Sequence, residues 1–274
     1  MSAARAALVA VSVLGTVSEP PPVRAQPPEA QEVRFESGPR TLRGFIYKPE
    51  GSEPFPVVLW NHGSEPRPGW LPAVAPVFTA SGYVFFVPHR RGQGRSPGDY
   101  IMDLLRRERE QRGPEAWSRQ LVTLQEEHLR DQLAALAFVR ALPYVDANRI
   151  AVAGCSFGGI QTILAAEQGH GTRAAVAFAA AAQTWKQSFA LRDRLRTAVR
   201  QARVPVMFVQ AENDYDLEPS RALANELEKQ GKPFKLLLLP PFGTSAQEGH
   251  ELCVRGAHLW SAEVLAFLRS SMGP

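Results

Sequence analysis

The segment Gly154-Cys155-Ser156-Phe157-Gly158-Gly159 carries the residue types and the spacing best suited to chemistry. It places Gly-x-Ser-x-Gly directly after an apolar run, Ile150 to Ala153, and before a helical stretch, Ile160 to Glu167. A serine at a strand end, flanked by residues without bulk, can sit on a very tight turn with its hydroxyl exposed. Such a serine is a nucleophile once a base removes its proton. The helix that begins there would offer the N–H of Phe157 to an oxyanion.

Serine needs a histidine to take its proton and an acid to orient that histidine, and after a strand–turn–helix serine the order is serine, acid, histidine. The run Val206 to Gln210 ends in Ala211-Glu212-Asn213-Asp214-Tyr215-Asp216, where three acids compete. Asp214 is the first choice, Asp216 the second and Glu212 the third. After the last apolar run, Phe234 to Leu239, stand His250 in a glycine-containing loop and His258 just before the final helix. His250 is the expected base, and His258 reads as packing or capping. A second oxyanion donor should follow the first central strand. There the chain reads Asn61-His62-Gly63-Ser64-Glu65-Pro66, which makes the Ser64 N–H the natural donor.

These residues must be held by a frame, and the frame is legible. Val33 to Glu36 and Thr41 to Tyr47 read as a hairpin across Ser37-Gly38-Pro39. Short runs rich in Val, Ile and Phe then alternate with helical segments: Val57 to Trp60, Tyr83 to Val87, Ile150 to Ala153, Ala175 to Phe178, Val206 to Gln210 and Phe234 to Leu239. Near-continuous apolar strands between helices imply a parallel sheet covered on both faces. A long helix is expected from about Trp117 to Leu142, stopped by Pro143. Another is led by Pro219 and ends at Gly231, and a last one covers Trp260 to Leu268. Ile101 to Glu115 fits the repeat poorly, as an insertion over the site or the ragged start of the long helix. Tyr100, Trp117, Trp185 and Tyr215 fall on connections at the carboxyl edge of such a sheet, where ligands bind, and are candidate pocket walls.

Composition narrows the partners. With 274 residues, 45% hydrophobic, the chain can build one full core. A net charge of +4, with Arg106, Arg107 and Arg109 interrupted by Glu108 and Glu110, gives no phosphate-binding stripe, so nucleic acid is not expected. Residues 1–25 have a basic start, a charge-free run from Ala6 to Val17 and the ending Val23-Arg24-Ala25, the layout of a signal peptide cleaved after Ala25. The expected destination is periplasmic or extracellular, or cytoplasmic if this leader is not a signal. The apolar run is too short for a membrane anchor. Cys155 and Cys253 form neither a disulfide framework nor a metal-ligand spacing. Export would allow them to bridge, but the place of Cys155 at a buried strand end argues against it.

The chain resembles the dienelactone hydrolase-like and prolyl-oligopeptidase-like branch of the α/β-hydrolases, from about Val33 to Leu268. The resemblance rests on Trp60-Asn61-His62-Gly63, on Pro88 to Ser96, on Gly154 to Gly159, on the Asp214 loop and on Gly249-His250. It implies an α/β-hydrolase fold: a mostly parallel central sheet with helices on both faces and an N-terminal β-hairpin. Residues 32–274 would form that domain, after a disordered linker at 26–31. It also implies that the loop Arg90 to Ser96 is structural rather than catalytic. Dienelactone hydrolases proper are similar but use cysteine as nucleophile, whereas here that position is Ser156 and the cysteine comes one residue earlier, pointing into the sheet. The serine turns the expectation toward hydrolysis of carboxylic esters, lactones included, through Ser156, His250 and Asp214 without metal or organic cofactor. Two alternatives stand beside it: a peptidase or amide hydrolase, and a non-catalytic scaffold of the same fold.

Overall fold

The opening hairpin forms as its alternation requires. In the computed structural model, which describes residues 29–273, β1 (Gln31–Ser37) pairs antiparallel with β2 (Arg40–Tyr47), from Gln31 opposite Ile46 to Ser37 opposite Arg40. The leader at 1–25 lies outside the described residues. Strand β3 (Phe55–Asn61) is followed by α1 (Ala75–Thr79), β4 (Val84–His89) and α2 (Ile101–Arg140). Next come β5 (Val145–Cys155), α3 (Phe157–Gln168), β6 (Ala174–Phe178), α4 (Phe189–Arg200), β7 (Val206–Ala211) and α5 (Glu218–Lys229). The chain closes with β8 (Phe234–Leu239), α6 (Ala246–His250), α7 (Leu252–Arg255) and α8 (Ala257–Met272).

The eight strands make one sheet in the order β1-β2-β4-β3-β5-β6-β7-β8. Pairing is antiparallel where β2 meets β1 and β4, and parallel from there to β8. Because strand side chains alternate, each central strand feeds two cores. Val57 and Leu59 join the layer under α2 to α5, while Val58 and Trp60 join the layer under α1 and α8. The second layer is built around the large rings of Trp60, Phe78, Phe85, Phe178 and Trp260. Phe178 and Trp260 have centroids 4.9 Å apart, and Trp60 stacks on Trp260 at 6.3 Å.

Helix α2 starts sixteen residues before Trp117, the expected start. Gly113 interrupts it with φ 82° and ψ −179°, and Pro114 restarts it, so two helices meet at a kink. Proline is tolerated there because the first turn of a helix has no use for its missing N–H. The first piece buries Ile101 and Leu105 and leaves most of its other residues exposed, so the poorly fitting segment is a surface helix anchored to the core at its start. At the other end, α8 runs past Leu268 to Met272.

One buried carboxylate locks α2 to the hairpin and to the loop after β4. Asp131 accepts from Ser37 Oγ (2.7 Å), the Arg91 N–H (3.0 Å), Arg91 Nε (2.8 Å) and Arg91 Nη2 (2.7 Å). Burial pushes its carboxyl up, but the hydrogen bonds from Arg91 and Ser37 outweigh burial and leave it below the usual aspartate value. Its contribution to stability is therefore complete above the unfolded aspartate pKa and is lost as pH falls through the lowered folded value. Asp131→Asn, which leaves the half-buried Arg91 guanidinium with only Glu127 at 3.7 Å as a carboxylate partner among the described residues, is expected to lower stability by about 2–3 kcal/mol at neutral pH. Urea unfolding at pH 7 checks this, and a loss below half that figure would remove Asp131 from the role of lock.

Candidate active site

The last residue of β5 and the first of α3 enclose Ser156, which has φ 58° and ψ −116°. A non-glycine residue held there is strained, and such strain persists only when its surroundings overdetermine it. The surroundings are tight. A Cβ on Gly158 would lie 1.9 Å from the Asn61 carbonyl oxygen, and one on Gly154 would lie 2.5 Å from the Gly158 oxygen. The Ser156 N–H donates to the Phe178 carbonyl at 3.0 Å, tying the turn to β6. Phe157 is the first residue of α3, so its N–H has no carbonyl one turn earlier in the helix to bind.

Asp214 follows β7, and its side chain is fully buried. Gln210 Nε2 donates to its Oδ2 at 2.8 Å, and the Tyr215 N–H donates to its Oδ1 at 2.7 Å. His250 Nδ1 lies 2.8 Å from the same Oδ1. A carboxylate there accepts, so Nδ1 carries the proton and Nε2 keeps its lone pair. Asp216 instead sits 3.5 Å from Lys186 Nζ and accepts from the Glu218 N–H, while Glu212 is exposed. Of the three acids, Asp214 alone meets the histidine.

His250 ends the short helix α6, where a glycine-containing loop was expected. Ser245 and Glu248 cap this helix reciprocally. Asn213, beside Asp214, donates to the Phe242 and Ser245 carbonyls at 3.0 and 2.9 Å, which joins the acid loop to the histidine segment. His258 is exposed on α8 rather than packed.

The doubted bridge exists: Cys155 and Cys253 form a disulfide across 98 residues of sequence. The burial that argued against it comes from the histidine segment itself, since both sulfurs lie within 3.9 Å of the His250 carbonyl oxygen. The bond thus joins the residue before Ser156 to the third residue after His250.

Ser156 and His250 line one cavity of about 650 Å³. Its apolar wall includes Trp60, Leu71, Met102 and Val254, and its polar rim includes Ser64, Glu65, Gln183 and Arg255. Tyr100 lines it as expected, and its hydroxyl donates to the Ser64 carbonyl at 2.6 Å. Trp117 and Trp185 do not line it. Trp117 on α2 and Trp185 in the turn after β6 lie buried in the core layer under α2 to α5, because their indoles pack among the apolar side chains of that layer. Tyr215 is exposed but packs edge-on against the His250 ring at 5.5 Å. Met102 was missed because its segment broke the strand–helix repeat. Glu65 was in view in the Asn61 to Pro66 loop, but only its geometry, accepting from the Gly63 N–H at 3.2 Å, draws it to the site.

The model of the dienelactone hydrolase family matches residues 42–242. The chain belongs to the dienelactone hydrolase family. Among curated proteins, this family member is similar to the quorum-quenching protein AidA of Acinetobacter baumannii, at 30% identity over 129 residues. That match covers 47% of this chain and 36% of the relative. Among solved structures it is similar to the acylaminoacyl peptidase of Pyrococcus horikoshii, with a TM-score of 0.70 and 18% identity, over 91% of this chain and 42% of that one. It is also similar to Est1E of Butyrivibrio proteoclasticus, solved with ferulic acid, with a TM-score of 0.65 and 20% identity, over 88% of this chain and all of that one. The chain thus spans well under half the length of the curated relative and of the peptidase. At such identities the structures share the α/β-hydrolase fold with this dienelactone hydrolase family member, which is a family of hydrolases.

Proposed function

We propose that this hydrolase cleaves carboxylic esters, lactones included, with Ser156 as nucleophile, His250 as general base and Asp214 as its orienting acid. The observation that carries the reading is the 2.8 Å contact of His250 Nδ1 with Asp214, which leaves Nε2 as the basic nitrogen in the cavity that also holds Ser156. His250 takes the hydroxyl proton as Ser156 attacks the ester carbonyl, and Asp214 stabilises the imidazolium. The N–H groups of Phe157 and Ser64 receive the oxyanion of the tetrahedral intermediate. The imidazolium then protonates the leaving alcohol, and water repeats the sequence on the acyl-enzyme. A cavity of about 650 Å³ with one apolar wall suits a small-molecule acyl group. Export belongs to the same proposal, and the Cys155–Cys253 bridge supports it, because disulfides persist in oxidising compartments.

A panel of aryl esters, lactones and aminoacyl amides, run on the wild type and on Asp214→Asn, tests this reading. Esters or lactones are expected to turn over fastest. Asparagine favours the wrong imidazole tautomer, so the variant should lose about 10⁴-fold in kcat. Faster turnover of amides would move the chain to the peptidase reading. Equal rates for both proteins would remove the mechanism.

A further inference from the structure

The loop after β4 sets a buried cation behind the wall of the cavity. Arg90 is 2% exposed, and its Nη2 donates to the Gly63 carbonyl oxygen at 2.6 Å. A second side-chain donor converges on that oxygen. Gln93 Nε2 reaches it at 3.2 Å. The His62 ring packs against the same group, with Nδ1 3.0 Å from the Gly63 oxygen and 3.1 Å from Arg90 Nη2, and Nε2 3.3 Å from the Arg90 main-chain nitrogen. Burial, and next the charge of Arg90, hold His62 well below the usual histidine range, so its ring is neutral.

The guanidinium has no carboxylate among its hydrogen-bond partners. Its Nε and Nη1 are buried without a partner among the described residues. Burial pulls Arg90 down to about 10, against the opposing charges of Glu65 and Asp131, and it remains a cation at neutral pH. Burying a cation this way is unfavourable, and neutral acceptors compensate only part of the loss. The arrangement has one evident use. The Gly63 carbonyl and the Ser64 N–H are two ends of one peptide unit, and donors on the oxygen draw electrons from the nitrogen. In a medium of low dielectric the charge is felt strongly across that short distance.

We propose that Arg90 is a positioning residue of the oxyanion hole, whose charge polarises the Gly63–Ser64 peptide so that the Ser64 N–H binds an oxyanion more tightly than a neutral ester. The proposal rests on the serine-esterase reading above. It concerns the transition state, so it separates kcat from KM. In Arg90→Met, kcat for an aryl ester is expected to fall about 100-fold, with KM within about threefold, as on losing one oxyanion donor. Inhibition by an alkyl boronic acid, which forms a tetrahedral adduct on the serine, should weaken in proportion. Arg90→Lys should recover at least tenfold of the lost kcat, because it restores a cation. A folded Arg90→Met with kcat within threefold of wild type overturns the proposal, and so does an Arg90→Lys no better than methionine. If Arg90→Met yields no folded protein, Arg90→Gln, which can keep a donor toward the Gly63 oxygen without the charge, decides: a fall of about tenfold or more in kcat at constant KM supports it, and unchanged kcat overturns it. Full activity of Ser156→Ala, by contrast, would strike the esterase reading itself, so the two failures are distinguishable.

Discussion

Ser156→Ala is expected to lower kcat by about 10⁵- to 10⁶-fold and to abolish labelling by a fluorophosphonate probe. The size of the effect follows from what the serine supplies. On the proposed mechanism it forms the covalent intermediate, and the adjacent sulfur of Cys155 cannot replace it because it is committed to Cys253. The residual rate should be that of water attacking a substrate held against the Phe157 and Ser64 N–H groups. Because nucleophile and base act as one unit, Ser156→Ala combined with His250→Ala should be no worse than either alone. Stability should change little, since alanine at φ 58° inherits the same backbone strain without adding bulk. A variant that keeps more than a few per cent of the wild-type rate, on any substrate of the panel, would sink the nucleophile. A probe that labels neither protein would revive the non-catalytic scaffold.

The second large effect is expected from the disulfide. Replacing Cys155 and Cys253 together by alanine frees a loop of 98 residues in the unfolded chain. The chain-entropy relation assigns such a loop about 4–5 kcal/mol, and measured losses commonly run from about 2 to 5 kcal/mol. For a domain of this size that lowers the melting temperature by roughly 10 °C. The position of the bond adds a kinetic consequence. It couples the residue before Ser156 to α7, three residues after His250, so its loss is expected to loosen the register between the proposed nucleophile and base. A displacement on the order of 1 Å can reduce turnover by about 10²-fold, so kcat should fall by tenfold or more at temperatures where the variant is folded. Thermal unfolding and ester turnover with and without a phosphine reductant check both parts, with thiol titration to prove reduction. An unchanged melt after complete reduction would leave the bond without a role in stability.

Local pattern carried much of this molecule. Six apolar runs read as strands are strands, because a parallel sheet buried on both faces leaves little room for polar residues along β3 to β7. The placement of Asp214 against His250, on the cavity that Ser156 also lines, was legible for a related reason: each residue follows a strand, and the order of the strands orders the residues. What local pattern could not carry was distance. The partner of Cys155 lies 98 residues away, and its burial is explained by a segment that packs on it only in the folded chain. Trp117 and Trp185 stand on connections near the carboxyl edge, yet the rotation of their segments, invisible in spacing alone, turns them into the core. Helix α2 was read short because Gly113-Pro114 mimics a helix boundary, and Met102 on the cavity was lost with it. The charge of Arg90 was visible as a letter, but its isolation from any carboxylate partner was not.

The sheet has two ends, and they are finished differently. At one, β1 is a polar, mostly alternating strand. At the other, β8 is half-buried at every position and contains four consecutive leucines, Leu236 to Leu239. Its outer row of main-chain N–H and C=O groups faces no strand among the described residues, which makes it a template onto which an extended chain could be added. The flanks set the length of that template. Lys235, paired with Glu263, puts charge at its start, and Pro240-Pro241 removes two donors beyond its end. These gatekeepers confine any edge-to-edge association to little more than the leucines, too short a ladder to be stable by itself.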